Sequence, residues 1–186
     1  ITEVCEILSE ENMLTDEEVS RIKDFLAGNK VQFEEVRRAT YEQKLDKIQH
    51  NISKKLLEIP IAKNSNLIAS ADVITTEELH ELAERVGPHI VALKTHIDII
   101  TDFDFDKTIL PLRDIAEKHN FLIMEDRKFA DIGSTQELQY SYGTYKIATW
   151  ADLVTSQVIG GYQSLDFFLN SGVIATLSWS SAGTLA

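Results

Sequence analysis

Two hydrophobic periods take turns along this chain from about residue 41 onward. Short apolar runs that close on polar residues recur: Asn66-Leu67-Ile68-Ala69-Ser70-Ala71-Asp72, His89-Ile90-Val91-Ala92-Leu93-Lys94, Phe121-Leu122-Ile123-Met124-Glu125-Asp126, Ala151 to Val158 and Gly172 to Leu177. Each reads as a buried strand, predicted at 66–72, 89–94, 121–126, 151–158 and 172–177. Between the runs, apolar residues fall three and four apart, which is the helical period. Thr75-Thr76-Glu77-Glu78 caps a helix with the stripe Leu79, Leu82, Ala83 and Val86, and Gly87-Pro88 ends it. The next helix, about 106–119, carries Ile109, Leu112, Ile115 and Ala116, with Pro111 in its first turn. Further helices are expected at 134–142 and 163–170, and one at Tyr41 to Glu58 that Pro60 terminates.

Residues 1–40 have another character. Val4, Ile7 and Leu8 give a short helical stripe, and Thr15 with Glu18 would cap a second helix bearing Val19, Ile22, Phe25 and Leu26, with Gly28 as a stop. The charged stretch from Phe33 to Arg38 has weak periodicity. The expected division is a helical linker or arm at 1–40 and a strand–helix domain at 41–186.

Near-continuous apolar strands, each followed by an amphipathic helix, imply a parallel sheet covered by helices. A doubly wound open sheet and a (β/α)₈ barrel both fit that rhythm. No Gly-x-Gly-x-x-Gly follows the first strand, which weakens the dinucleotide-binding form of the open sheet. Polar residues gather at the C-terminal strand ends, where barrel sites lie. Five strands are countable, so the expected fold is an α/β, (β/α)₈ TIM barrel truncated after about five strands.

Composition narrows the function classes. At 186 residues, 44% apolar and 26% charged, the chain suits one globular domain. Its net charge of −12 argues against binding nucleic acid through a broad basic surface. The single cysteine, Cys5, allows no internal disulfide, and no apolar run approaches the length of a membrane span. A cytoplasmic protein with no membrane partner is expected. The chain starts at Ile1 rather than Met, which suggests a segment of a longer polypeptide.

The candidate chemistry lies in Met124-Glu125-Asp126-Arg127-Lys128-Phe129-Ala130-Asp131-Ile132-Gly133. Residues i and i+2 of a strand share a face, so Asp126 and Lys128 should project together, with Asp131 on the following loop. Asp72 and Lys94 close the first two strands in the same format. In a barrel these three strand ends converge, and alternating Lys and Asp would keep ammonium and carboxylate charged. A lysine so held can act as a general acid. A lone Asp–Lys pair is commonly a structural ion pair; four such residues at successive strand ends favour a site. His96 fits a ligand hydroxyl, a phosphate or a capping role equally. His50, His80, His89 and His119 read as surface residues, and Tyr140, Tyr142 and Trp150 as core or interface. No His-x-x-x-His or Cys-x-x-Cys spacing suggests a metal. Ser180 follows the fifth strand and could face the same mouth.

Leu93-Lys94-Thr95-His96 and Glu125-Asp126-Arg127-Lys128-Phe129-Ala130-Asp131-Ile132-Gly133 resemble the signature of orotidine 5′-phosphate decarboxylase. Ser70-Ala71-Asp72-Val73, Ala151-Asp152-Leu153-Val154 and Ser180-Ser181-Ala182-Gly183-Thr184-Leu185 match the family's other strand ends in order. The resemblance spans about 41–186. It implies conversion of orotidine 5′-phosphate to UMP and CO₂ with no cofactor and no metal. By the same resemblance, Lys128 would protonate C6 and Asp126 would face the substrate carboxylate. Asp72 and Lys94 would hold the ribose hydroxyls and complete the charge array. Asp131 would reach into the site of a second subunit of a homodimer, with Ile132 and Thr135 beside it, and Ser180 would read the pyrimidine. Residues 1–40 resemble the connector of animal UMP synthase, which implies a bifunctional enzyme of pyrimidine biosynthesis.

Ser134 stands where the family has asparagine, Ser178-Trp179 where it has Glu-Met, and Thr155-Ser156-Gln157 differ from its usual strand ending. The phosphate-gripping loops expected after the seventh and eighth strands are absent from the sequence. Two other readings stay open. One is a truncated, inactive fragment that dimerises or binds nucleotide weakly. The other is a magnesium-dependent sugar-phosphate decarboxylase sharing Asp-x-Lys-x-x-Asp, against which Arg127, Phe129 and Lys94-Thr95-His96 argue.

Overall fold

The computed structural model describes residues 39–168 and 170–176, together with Ser20. The helices expected before residue 39, and the Ser180 segment, lie outside the described residues. The chain divides into two units, Ile1–Asp46 and Lys47–Ala186. In the first, helix α1 (Tyr41–Leu45) opens with a capping box between Thr40 and Gln43.

The second unit begins with α2 (Asn51–Lys63), which His50 caps by accepting the Ser53 N–H on Nδ1. The single helix expected over 41–58 is therefore two helices, and Pro60 lies inside α2 rather than ending it. A proline there loses the bond to the Leu56 carbonyl. Ile59 and Pro60 are both buried, and burying Ile59 against the sheet offsets that loss. The helix ends instead at Asn64, in the left-handed conformation that asparagine tolerates.

Among the described residues five strands follow: β1 (Ile68–Ala71), β2 (Ala92–Thr95), β3 (Leu122–Phe129), β4 (Leu153–Gln157) and β5 (Gly172–Thr176). All pair in parallel in the order β1-β2-β3-β4-β5. A doubly wound sheet reverses its strand order at a switch point, and this sheet does not. Strictly sequential order is the barrel arrangement. Helix α3 (Thr76–Val86) carries the expected Thr75–Glu78 capping box. Helix α4 (Leu110–His119) has Pro111 in its first turn and is preceded by a π-helical turn, Phe105–Ile109. The helix expected at 134–142 is α5 (Gly133–Glu137) running into a π-helical turn, and the one at 163–170 is a 3₁₀ segment, Tyr162–Phe167.

Alternation along the strands builds two cores. Leu93, Ile123 and Val154 point outward and pack with Leu79, Ala83, Leu112, Ile115 and Ala116 of α3 and α4. Ala92, Leu122, Met124 and Leu153 point inward and meet Ile59, with Ile52 and Leu56 of α2 and Ile174 of β5 against them. Apolar side chains thus fill the N-terminal half of the inner face. The next inward positions toward the C-terminal ends are Lys94, Asp126 and Thr155. Asp152, just before β4, fastens the opposite end by accepting from Arg113 Nη1 at 2.8 Å and the Ile123 N–H at 2.8 Å.

The outer core is the larger of the two buried clusters among the described residues. Leu93→Ala, at a fully buried position, is expected to cost about 2–5 kcal/mol in urea unfolding of the full-length protein, and Leu110→Ala, half exposed on α4, less than about 1 kcal/mol. Equal losses at the two positions would contradict this assignment of faces.

Candidate active site at the strand ends

Strand β3 does not run straight to its end. From Glu125 to Phe129 it advances four residues while its partner β4 advances two, from Val154 to Ser156. The slack is taken up at Lys128, which adopts φ +52°, a left-handed conformation uncommon for a residue with a side chain. Bulges of this kind re-aim side chains. Here the ammonium of Lys128 is turned back onto Asp126, with Nζ 2.5 Å from Oδ2. Phe129 fixes the bulge from beyond: its ring packs on Tyr140 and Phe168 with centroids 6.1 and 5.1 Å away.

Asp126 is the centre of the cluster and is 9% exposed. Its Oδ2 also receives Lys94 Nζ at 3.2 Å and lies 3.3 Å from His96 Nε2. Its Oδ1 accepts the Thr155 hydroxyl at 2.8 Å, and that hydroxyl in turn accepts the Lys128 N–H at 2.9 Å. Lys94 reaches on to Asp72 Oδ1 at 3.7 Å, and His96 lies 3.1 Å from Lys94 Nζ. Asp72 is the open end of the cluster, with 63% of its side chain exposed and Ser70 Oγ donating to it at 3.0 Å. The side chains therefore run Lys128–Asp126–Lys94–Asp72, with His96 against the middle pair. Burial pushes the Asp126 carboxyl up. Hydrogen bonds from Lys128, Thr155 and Lys94, with the charge of Lys128, outweigh it and hold the group below the usual aspartate value.

Five of the residues singled out from the sequence thus meet in one cluster: Asp72, Lys94, His96, Asp126 and Lys128. Asp131 and Ile132 lie on the exposed loop beyond β3 and Thr135 on α5. The Asp131 carboxylate accepts the Ile132 N–H at 2.8 Å and the Gln139 side-chain amide at 3.4 Å. Ser180 is outside the described residues. Of the histidines read as unpartnered surface groups, His119 bonds Glu84 at 2.7 Å, His80 meets the Thr108 carbonyl at 2.9 Å, and His50 is a helix cap. Tyr140 and Trp150 are core residues, whereas Tyr142 is 74% exposed.

Two residues that support the cluster were missed in the sequence. Thr155 could have been found from inward alternation along the fourth strand. Glu125 is hidden by its company, a run of four charged residues of which it alone is fully buried. It points away from the mouth, accepts the Thr95 hydroxyl at 2.6 Å and receives the Ile97 N–H at 3.2 Å on both oxygens. Burial raises its carboxyl to about 8, with the Asp98 and Asp126 charges adding to the effect and the Thr95 and Ile97 hydrogen bonds opposing it. The Thr95 hydroxyl also lies 3.4 Å from the Met124 carbonyl.

Among the described residues no helix is long and apolar enough to cross a membrane, and no group of three or more His, Cys, Asp or Glu side chains is arranged to hold a metal ion.

The profile of the orotidine 5′-phosphate decarboxylase / HUMPS family matches residues 65–173. A protein of Torulaspora delbrueckii named orotidine 5′-phosphate decarboxylase is 53% identical over 123 residues, which cover 66% of this chain and 47% of that protein. One of the same name from Candida glabrata is 47% identical over 157 residues, covering 80% of this chain and 59% of that protein. The chain thus spans about half the length of these relatives. Among solved structures, orotidine 5′-monophosphate decarboxylase from Methanocaldococcus jannaschii superposes with a TM-score of 0.53 at 22% identity, covering 64% of this chain and 57% of that one. The enzyme of that family from Pyrococcus horikoshii gives 0.50 at 24% identity, covering 63% and 54%. These two likenesses bear on the fold alone, and they agree with the sequential parallel sheet.

The protonation of Glu125 has a measurable sign. Between the ordinary glutamate value of 4.5 and about 8, the folded chain keeps a proton that the unfolded chain has released. Stability from this group is complete below that window and is lost as pH rises through it. Glu125→Gln removes the loss, so its stability relative to the parent should rise with pH, by at most about 1.4 kcal/mol per pH unit. Urea unfolding between about pH 5 and pH 8 measures this. Parallel stability profiles for the two proteins would overturn it.

Proposed function

The chain belongs to the orotidine 5′-phosphate decarboxylase / HUMPS family, and from that premise we propose that the cluster at its strand ends decarboxylates orotidine 5′-phosphate to UMP. The observation that carries the reading is the single carboxylate of Asp126 held by two lysines from adjacent strands. In this reading the bond between C6 and the carboxylate carbon breaks, CO₂ leaves, and the electron pair stays on C6. Lys128 gives its proton to C6, forms the new C–H bond and is left as a neutral amine, which solvent reprotonates. Asp126 keeps Lys128 protonated until that moment and places negative charge against the departing carboxylate. A network fixed before substrate arrives spends no reorganisation at the reacting carbon.

Lys94 and Asp72 take the ribose hydroxyls, and Asp72 is exposed enough to receive them. His96, against the same ammonium, extends the polar wall. Thr135 and Ser180 complete the substrate contacts in this proposal. Binding energy from ribose and phosphate, remote from C6, lowers the barrier where it is spent on holding the transition state. The active unit is a homodimer, with Asp131 donated to the neighbouring site. An exposed carboxylate beside Ile132, itself 68% exposed, suits a group taken up by a second copy.

The full-length protein tests these roles. Lys128→Ala should reduce turnover of orotidine 5′-phosphate by at least about 10²-fold, the scale of a lost general acid; undiminished turnover removes the assignment. If Asp131 acts across the dimer, mixing the inactive Lys128→Ala and Asp131→Ala proteins restores one intact site per mixed dimer, roughly a quarter of parental activity. No recovery from dimers shown to have exchanged subunits refutes the cross-subunit role. Activity lost in chelator would instead favour a magnesium-dependent relative. The fusion to a phosphoribosyltransferase implied by residues 1–40 is read on the encoding transcript, where an upstream frame of that enzyme supports it and its absence removes it.

A further inference from the structure

The buried carboxyl of Glu125 touches no group in the mouth, yet it holds the two residues that flank His96. Thr95 and Ile97 are 1% and 0% exposed, and both bond to Glu125. They lie on the outer side of β2 and of the turn that follows it. Their even-numbered neighbours, Lys94 and His96, consequently face inward onto Asp126. Regular pairing cannot impose this at residue 96, because β2 ends at Thr95. The backbone at His96 has left the strand conformation, with φ −124° and ψ 84°. Past the last ladder pair, the Ile97 N–H bond to Glu125 is the buried backbone contact that ties the turn to β3.

A second outward residue of β3 acts on the same turn. Arg127 Nη1 lies 4.0 Å from Asp98 Oδ2, and both side chains are partly exposed, so this pair adds little beside the buried bonds. Alternation gives β3 two edges of contact with the end of β2 and the turn after it: Asp126 meets Lys94 and His96 from inside, and Glu125 meets Thr95 and Ile97 from outside.

We propose that Glu125 is a positioning residue, which clamps Thr95 and Ile97 and thereby aims Lys94 and His96 at Asp126. The clamp itself is a property of the fold; its effect on turnover rests on the decarboxylase reading. A side chain of similar size that retains hydrogen bonding should preserve the clamp, and an apolar one should release it. Glutamine accepts the Ile97 N–H on Oε1 and donates to the Thr95 oxygen through Nε2, whereas leucine does neither.

The test compares Glu125→Gln and Glu125→Leu in the full-length protein. Amide exchange at Ile97 and the ring resonances of His96 are read by NMR, alongside kcat and KM for orotidine 5′-phosphate. With leucine, exchange at Ile97 should accelerate at least about tenfold, the His96 resonances should shift, and kcat/KM should fall about tenfold or more. With glutamine, all three should stay within about threefold of the parent or unshifted. A folded leucine variant with Ile97 exchange and His96 resonances unchanged overturns the proposal. If that variant fails to fold, Thr95→Val removes only the hydroxyl: displaced His96 resonances then support the clamp, and unchanged ones refute it. A parent without turnover, in which the NMR readouts still respond, would sink the decarboxylase reading and leave the clamp standing.

Discussion

The site depends on one carboxylate. Asp126 is nearly buried, and a buried charge without partners is among the costliest arrangements a fold can adopt. It is made tolerable by two ammonium groups, a hydroxyl and an imidazole converging from β2, β3 and β4. The dependence runs both ways. Without Asp126, Lys94 and Lys128 would face each other as like charges across a partly desolvated mouth. The strand pairing is also committed to it: Lys94 lies opposite Met124 in the parallel register, so its side chain slants forward to reach the residue two beyond.

Strand β3 serves two sides of the sheet within four residues. Asp126 and Lys128 face the mouth, while Glu125 and Arg127 face the turn after β2. The two carboxyls diverge in character because their surroundings differ. Asp126 is crowded by cations and held ionised; Glu125 is enclosed by apolar packing with one hydroxyl and one amide, and burial favours its neutral form. Were both ionised, two adjacent residues would place two negative charges around a dry strand end. A neutral Glu125 leaves the charge of the site to the groups that face the mouth.

Much of this organisation is written locally. The Thr75–Glu78 capping box, Pro111 in a first turn and the five apolar runs are signals spanning a few residues, and each appears where such signals place it. Strand order is different in kind. Apolar runs identify buried parallel strands, but the order β1-β2-β3-β4-β5 comes from how the crossovers pack, which no single segment encodes. The pairing of Asp126 with Lys128 was legible from two-residue spacing, although the geometry reaches it through a bulge and a left-handed lysine. Lysine has no preference for that conformation, so nothing at position 128 announces it. Glu125 was illegible for the opposite reason: in Glu-Asp-Arg-Lys every residue looks solvated, and only the sheet decides which one is sealed. Pro60 misled because its burial within α2 outweighs a rule about isolated helices.

The same distinction separates what assembles the cluster from what would make it effective. Its side chains come from β1 to β4 and the turns between them, and each contact joins one strand end to its neighbour or spans a single bulge. Nearest-neighbour pairing is enough to bring these charges together. A charge cluster nevertheless binds no particular molecule by itself; selectivity for one ligand needs contacts with the parts of it that lie away from the charges. Those contacts must come from elsewhere around the mouth, and they must be rigidly related to Asp126 if their binding energy is to act at the cluster. A barrel meets that requirement because every strand end is referenced to the same inner face. On that argument the inner core formed by α2 with Leu122, Met124 and Leu153 is more than a source of stability. It fixes the floor against which the charged residues above it, and whatever recognises the rest of the ligand, are held in register.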